Sequence, residues 1–132
     1  MKEYRPEQIR NIGIIAHSGA GKTSLIEAIL YNGGTIERMG RVEDGNTVSD
    51  YAPDEIDRRT TINCSVCIAE WKGYKLNLID TPGAEDFYGD LDGVLRIVDA
   101  VIVMIDATTG VEGGTEKVWE FADKYDLPRL LF

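Results

Sequence analysis

The sequence predicts a three-layer α/β domain, with helices on both faces of a mostly parallel sheet that carries one antiparallel hairpin strand. Three observations predict it. Asn11–Ala16 (NIGIIA) is short, isoleucine-rich and bounded by polar residues, as a buried parallel strand should be, and a glycine-containing turn and a helical apolar pattern follow it directly. Ile62–Trp71 and Tyr74–Ile79 are strand-like runs joined only by Lys72 and Gly73, the signature of a hairpin. Beyond them helical and strand patterns alternate, the order expected of an open sheet with flanking helices.

The first strand leads into Ala16–Thr23, AHSGAGKT, which reads as a phosphate-binding loop. Gly19 and Gly21 permit backbone conformations that residues with a Cβ resist, so successive amide N–H groups of Ala16, His17, Ser18, Gly19, Ala20 and Gly21 can face one concavity. Lys22 adds a positive charge that reaches β and γ phosphates. Thr23 adds a hydroxyl suited to Mg²⁺, and with Ser24 it opens a helix whose N-terminal dipole favours anions. The strict pattern GxxxxGK[ST] is met except at its first position, which is Ala16. Leu25, Ile26, Ala28, Ile29 and Leu30 give the helix its apolar face.

The helix ends near Asn32, where Gly33 and Gly34 break the pattern. Thr35–Arg59 has no sustained period and many charges, so it reads as a long loop; behind a phosphate loop, such a segment is expected to be ordered by bound nucleotide and released afterwards. The hairpin follows, and its second strand runs into Asp80-Thr81-Pro82-Gly83 at the carboxyl edge, where open α/β sheets bind ligands. Asp80 is placed there to hold Mg²⁺ directly or through water, and the Gly83 N–H to meet a γ-phosphate. Phe87, Leu91, Val94, Leu95 and Val98 recur at helical spacing, Ala100–Ile105 is a central strand, and Thr115–Tyr125 is a helix with Val118, Trp119 and Ala122 inward. A further strand begins at Pro128.

Composition narrows the function. A chain of 132 residues with 43% hydrophobic content is one domain's worth or less. A net charge of −9 argues against a broad nucleic-acid-binding surface, so any RNA contact is local or lies elsewhere. The polar opening MKEYRPEQ and the lack of an apolar run of about 18 residues leave the cytoplasm as the expected compartment and predict no membrane contact. Cys64 and Cys67 form a single CxxC, but there is no second pair and one histidine in all, His17. Residues three apart in a strand face opposite sides, so buried thiols are expected rather than a zinc or redox site.

The order of phosphate loop, long loop and DTPG resembles the N-terminal part of the GTP-binding domain of the translation elongation factor G family. The likeness runs through NIGIIAHSGAGKT, ILYNGGTIERMGRVEDG, the segment from Asp50 to Ile62 ending in RRTTI, LNLIDTPGAEDF and GVEGGTEKVWEFADKYDLPR. It implies a P-loop NTPase of GTPase type, with GTP or GDP and Mg²⁺ as ligands and the ribosome as partner of the whole protein. By matching positions, Lys22 and the loop amides would hold phosphates, Thr23 and Thr61 would ligate Mg²⁺, Asp80 would hold it through water, and Gly83 would sense the γ-phosphate. The resemblance implies a partial domain over 1–132, with phosphate loop 16–23, a first switch at about 35–62, and DTPG with a second switch at about 80–93. The last strands and the guanine-reading NKxD motif would lie past Phe132, leaving apolar edges.

The departures cluster. The family's water-positioning histidine after DTPG is Ala84 here, its AHIDAGKT reads with Ser18 and Gly19, and its RGITI reads Arg58, Arg59, Thr60, Thr61, Ile62. Glu85 is adjacent but not aimed by the turn, and His17 is shared with ordinary members, so no general base is assigned. The expected outcome is retained binding with slowed hydrolysis; the alternatives are a GTP-held ribosome-binding switch with negligible hydrolysis or, more remotely, a P-loop ATPase or kinase.

Overall fold

The computed structural model describes residues 2–84 and 88–132. Five strands form one sheet in the order β2-β3-β1-β4-β5: β1 Ile9–Ala16, β2 Ser65–Trp71, β3 Tyr74–Asp80, β4 Ala100–Met104 and β5 Arg129–Leu131. β1 lies between β3 and β4 and runs parallel to both, β5 is parallel to β4, and β2 alone is antiparallel, to β3. The predicted fold class stands.

Strand alternation sorts the core onto two faces. Ile14 and Ala16 of β1, with Cys67, Ala69, Leu78 and Met104, pack against Ile26 and Leu30 of α1 (Lys22–Asn32). Ile15, Ile79, Val101 and Val103 face the other way, toward α3 (Tyr88–Leu95) and α4 (Gly113–Lys124) through Leu91, Val94, Leu95, Val118 and Ala122. Val98 is buried in the same cluster; Phe87, assigned to this helical pattern, lies outside the described residues. Cys67, buried in the second strand, sits under α1, while Cys64, half-buried just before that strand begins, packs against the opposite cluster, so the CxxC pair is split across the sheet. Burial pushes both thiols up to about 11.

Three expectations need correction. The segment after α1 is not all loop: it contains a 3-10 turn at Val42–Asp44 and α2 at Pro53–Arg58. Pro53 at the first helical position, Asp54 and Glu55 in the first turn and Arg58 in the last are helix signals readable in the sequence. The second strand starts at Ser65 rather than Ile62, because the N–H groups of Ile62 and Asn63 donate to the Glu55 carboxylate at 3.0 Å each instead of joining the sheet ladder. Trp119 does not point inward. It is 36% exposed at the margin of the Thr115–Val118–Ala122 face, with the Arg129 guanidinium 4.6 Å from its ring centre.

Candidate functional site

The register of the sheet builds the site. Ile14 pairs with Asp80 and Ala16 with Met104, so the carboxyl ends of β1, β3 and β4 share one edge. Thr81, fully buried, donates its hydroxyl to the Ile14 carbonyl at 2.6 Å and pins the Asp80–Gly83 turn against β1. The turn cannot drift from the phosphate loop.

Two glycines shape that loop. Gly19 and Gly21 take φ of 83° and 91°, the left-handed region, and Gly21 caps α1. No side chain caps this helix and its first turn holds no acidic residue, so the first-turn N–H groups of Lys22, Thr23 and Ser24 are left for an external acceptor. A close approach, rather than a left-handed backbone, demands the glycine at Gly83. A Cβ there would fall 2.5 Å from Lys22 Nζ and 2.9 Å from the Ser18 amide nitrogen. Only glycine lets the DTPG turn close over the loop.

These pieces enclose a cavity of about 310 Å³, lined on one side by Ser18, Gly19, Gly21, Lys22, Thr23, Ser24 and Gly83, and on the other by Val42, Glu43, Asp50, Arg59, Thr60 and Thr61. Lys22 is 6% exposed, and its ammonium has no hydrogen bond or ion pair to protein among the described residues. Burial lowers its pKa, against which the charges of Asp80 and Asp50 act. A buried cation without a partner, facing orphan N–H groups, fits a polyanion such as a chain of phosphates.

Beneath the cavity lies a cluster of oxygens. Thr23 Oγ1 is 3.2 Å from Thr61 Oγ1, 3.1 Å from Asp50 Oδ2 and 3.0 Å from Asp80 Oδ2, while the Ser49 hydroxyl donates to Asp80 Oδ2 at 2.8 Å. The single Thr23 proton serves only one of these oxygens at a time. The other oxygens, Asp50 Oδ1 and Asp80 Oδ1, are buried without any partner. Burial pushes Asp80 up to about 6 and raises Asp50 as well. Hydroxyls and carboxylates crowded with too few protons are the donor set of a small hard cation, so these residues fit Mg²⁺. No group of three or more His, Cys, Asp or Glu side chains that could hold a metal ion is found among the described residues.

Of the sequence-predicted residues, Ala16 is in the core at the end of β1, and Asp80 lies fully buried behind the cavity. The His17 side chain turns away from it, with Nε2 3.4 Å from the Glu112 carboxylate and its ring over Gly114, where a Cβ would collide with it. Of the departures from the family pattern, Ser18, Gly19, Thr60 and Arg59, which stands where RGITI has glycine, line the cavity. Ala84 follows the lining residue Gly83 and brings only a methyl group; Glu85 lies outside the described residues.

Sequence reasoning missed Asp50, Ser49, Glu27 and Glu55. Glu27 of α1 is 1% exposed and accepts from the N–H groups of Gly40 at 2.7 Å and Val48 at 2.6 Å. Glu55 of α2 is 2% exposed and holds Ile62 and Asn63 beside Thr61. Short patterns do not mark their roles: Asp50 and Ser49 meet the side chains of Thr23 and Asp80, and Glu27 and Glu55 hold backbone N–H groups 7 to 21 positions away.

Fold and site together define a P-loop nucleotide-binding domain, with the phosphate loop between β1 and α1 and a second loop closing on it. Residues 7–132 match the elongation factor Tu GTP binding domain family, and the chain belongs to that family. It is 47% identical over 126 residues to elongation factor G of Thermotoga petrophila, covering 96% of this chain and 18% of that protein. It is 46% identical over 125 residues to mitochondrial ribosome-releasing factor 2 of Pongo abelii, covering 95% of this chain and 16% of that protein. The chain thus spans less than a fifth of these relatives. Among solved structures, a Thermus thermophilus protein superposes with a TM-score of 0.90 at 42% identity, over 94% of this chain and 19% of that one. A bacterial selenocysteine-specific elongation factor shares the fold, with a TM-score of 0.75 at 18% identity, over 92% of this chain and 19% of that chain. No helix among the described residues is long and apolar enough to cross a membrane.

Proposed function

We propose that this chain is the phosphate-holding part of the GTPase domain of a translational factor, which couples GTP binding and hydrolysis to ribosomal translocation or recycling in the cytoplasm. The observation that carries it is the oxygen cluster joining Thr23 on the phosphate loop to Thr61 and Asp50 on the loop opposite. In this reading the N–H groups of residues 18, 19 and 21–24 and the Lys22 ammonium bind the β and γ phosphates, the Ala20 N–H being turned back to the His17 carbonyl, and the Gly83 N–H faces the γ-phosphate. Bound Mg²⁺, held by Thr23 and Thr61 and by Asp80 through water, would neutralise phosphate charge. Asp50 and Ser49 orient the carboxylate and hydroxyls beneath. Thr61 reports the γ-phosphate to residues 35–62, which are ordered while it is present and released when it leaves.

A second reading, a GTP-held ribosome-binding switch with negligible turnover, is favoured by Ala84, whose methyl cannot position water. Single-turnover hydrolysis by the full-length protein, with and without ribosomes, separates the two. Ala84→His is expected to keep GTP affinity and to recover part of the about 10²- to 10⁴-fold that a water-positioning group contributes. Fast hydrolysis by the wild type with no gain from histidine would remove the slowed-hydrolysis reading.

A further inference from the structure

We propose that Arg59 is a catalytic residue of this domain, presenting its guanidinium to the γ-phosphoryl group as the bond to the β-phosphate breaks. The proposal rests on the nucleotide reading above. Lys22 and Arg59 are the two cationic side chains that line the cavity, and they stand on opposite walls of it. Lys22 is buried and fixed in the phosphate loop, whereas the Arg59 side chain is exposed and has no hydrogen bond or ion pair among the described residues. Arg96 and Arg129, by contrast, are spent in ion pairs with Asp92 and Asp123.

Backbone and place together mark the position: of the three non-glycine residues at positive φ among the described residues, Arg59, Lys72 and Asp126, Arg59 alone lines the cavity. Arg59 closes α2 at φ 54° and ψ 41°, a left-handed conformation that suits glycine and is disfavoured for a long side chain. An observed outlier beside a binding cavity licenses a functional hypothesis. The conformation is held from both sides: the Arg59 N–H donates to the Glu55 carbonyl, and the Glu55 carboxylate grips Ile62 and Asn63. Arg59 therefore moves as one body with Thr61, two residues on. When Thr61 docks, the guanidinium arrives with it.

The chemistry needs such a group. Water attacks the γ-phosphorus, the bond from that phosphorus to the β–γ bridging oxygen breaks, and GDP departs with the bonding electrons. The proton of the attacking water ends on the released phosphate. Negative charge grows on the bridging oxygen, and a planar guanidinium stabilises it through paired N–H donors while staying protonated throughout. This role differs from positioning water, so Arg59 supplies charge stabilisation that the methyl of Ala84 cannot.

The test uses the full-length protein at saturating ribosomes, comparing wild type, Arg59→Gly and Arg59→Lys. Glycine adopts the left-handed backbone freely, so Arg59→Gly keeps the fold. The expected result is affinity for a fluorescent GTP analogue within about 3-fold of wild type, with single-turnover hydrolysis lowered by about 100-fold or more. Arg59→Gly should also fail to form the complex with GDP and aluminium fluoride, a transition-state mimic, and Arg59→Lys should restore hydrolysis only in part. Hydrolysis unchanged in Arg59→Gly would overturn the proposal, as would an equal fall in GTP affinity and rate, or a loss confined to ribosome binding. A wild type that binds GTP yet never hydrolyses it overturns this proposal alone. A wild type that does not bind GTP overturns the nucleotide reading as well.

Discussion

The two walls of the phosphate cavity are built in different ways. On one side, Ser18 to Ser24 run continuously from the central strand β1 into α1, and their geometry is set by backbone: two left-handed glycines and a bare helix N-terminus. On the other, Asp50, Arg59, Thr60 and Thr61 belong to a segment outside the sheet, held by side chains. Glu27 ties Gly40 and Val48 to α1, while Glu55 ties the segment to itself. A wall made of backbone is as stable as the sheet; a wall made of a few carboxylate contacts opens locally at much lower cost. On the nucleotide reading proposed above, the difference gives a fixed anchor facing a releasable sensor.

The largest expected effect is on the fixed wall. Hydrogen bonds to charged groups contribute about 1.5–3 kcal/mol each, so Lys22→Met should weaken GTP and GDP binding by about 100-fold or more in equilibrium titrations. The nucleotide-free protein should be no less stable, because the substitution removes a buried cation that has no protein partner among the described residues. A clear loss of stability without nucleotide would mean that Lys22 is structural.

Next come the two clamps. Glu55→Ala strands backbone N–H groups at Ile62 and Asn63, and Glu27→Ala does so at Gly40 and Val48, so each should cost about 2 kcal/mol in urea unfolding. Limited trypsin digestion distinguishes them. Glu27→Ala is expected to speed cleavage after Arg38 and Arg41 with Arg58 and Arg59 still protected, and Glu55→Ala to do the reverse. Identical fragment patterns would show that the segment opens as one unit rather than two.

The same contrast explains what the sequence reveals. The fixed wall is local, so Gly19, Gly21, Lys22 and Thr23 could be read in one stretch, and Asp80 and Gly83 followed from the carboxyl-edge rule. The opposite facing of Cys64 and Cys67 was legible too, although Cys64 lies one residue ahead of β2 rather than in it. The releasable wall depends on contacts between residues 7 to 38 positions apart, from Glu55 to Ile62 up to Thr23 to Thr61, which no short pattern encodes. Even there α2 was signalled, by Pro53 and the acidic turn after it. Trp119 was misplaced because a helical face has margins, and a large ring at the margin can lie on the surface beneath Arg129.

The smallest expected effect reads the junction between the walls. Cys64 follows directly on the Glu55-held Asn63, and burial lifts its thiol from an ordinary 9.0 to about 11, as it does for Cys67. A raised thiol pKa means that the folded chain keeps protons the unfolded chain gives up, so stability should fall as pH rises from about 9 toward 11. It also suppresses alkylation, since the thiolate is the reacting form. Releasing residues 60–63 in Glu55→Ala wets Cys64 but not Cys67, which lies under α1 on the other face. Iodoacetamide labelling at pH 8, followed by peptide mass, should therefore quicken about 10-fold at Cys64, part of the about 100-fold that two pKa units allow, and stay unchanged at Cys67. Equal acceleration at both cysteines would place the opening in the sheet itself, and the division into a fixed and a releasable wall would fail.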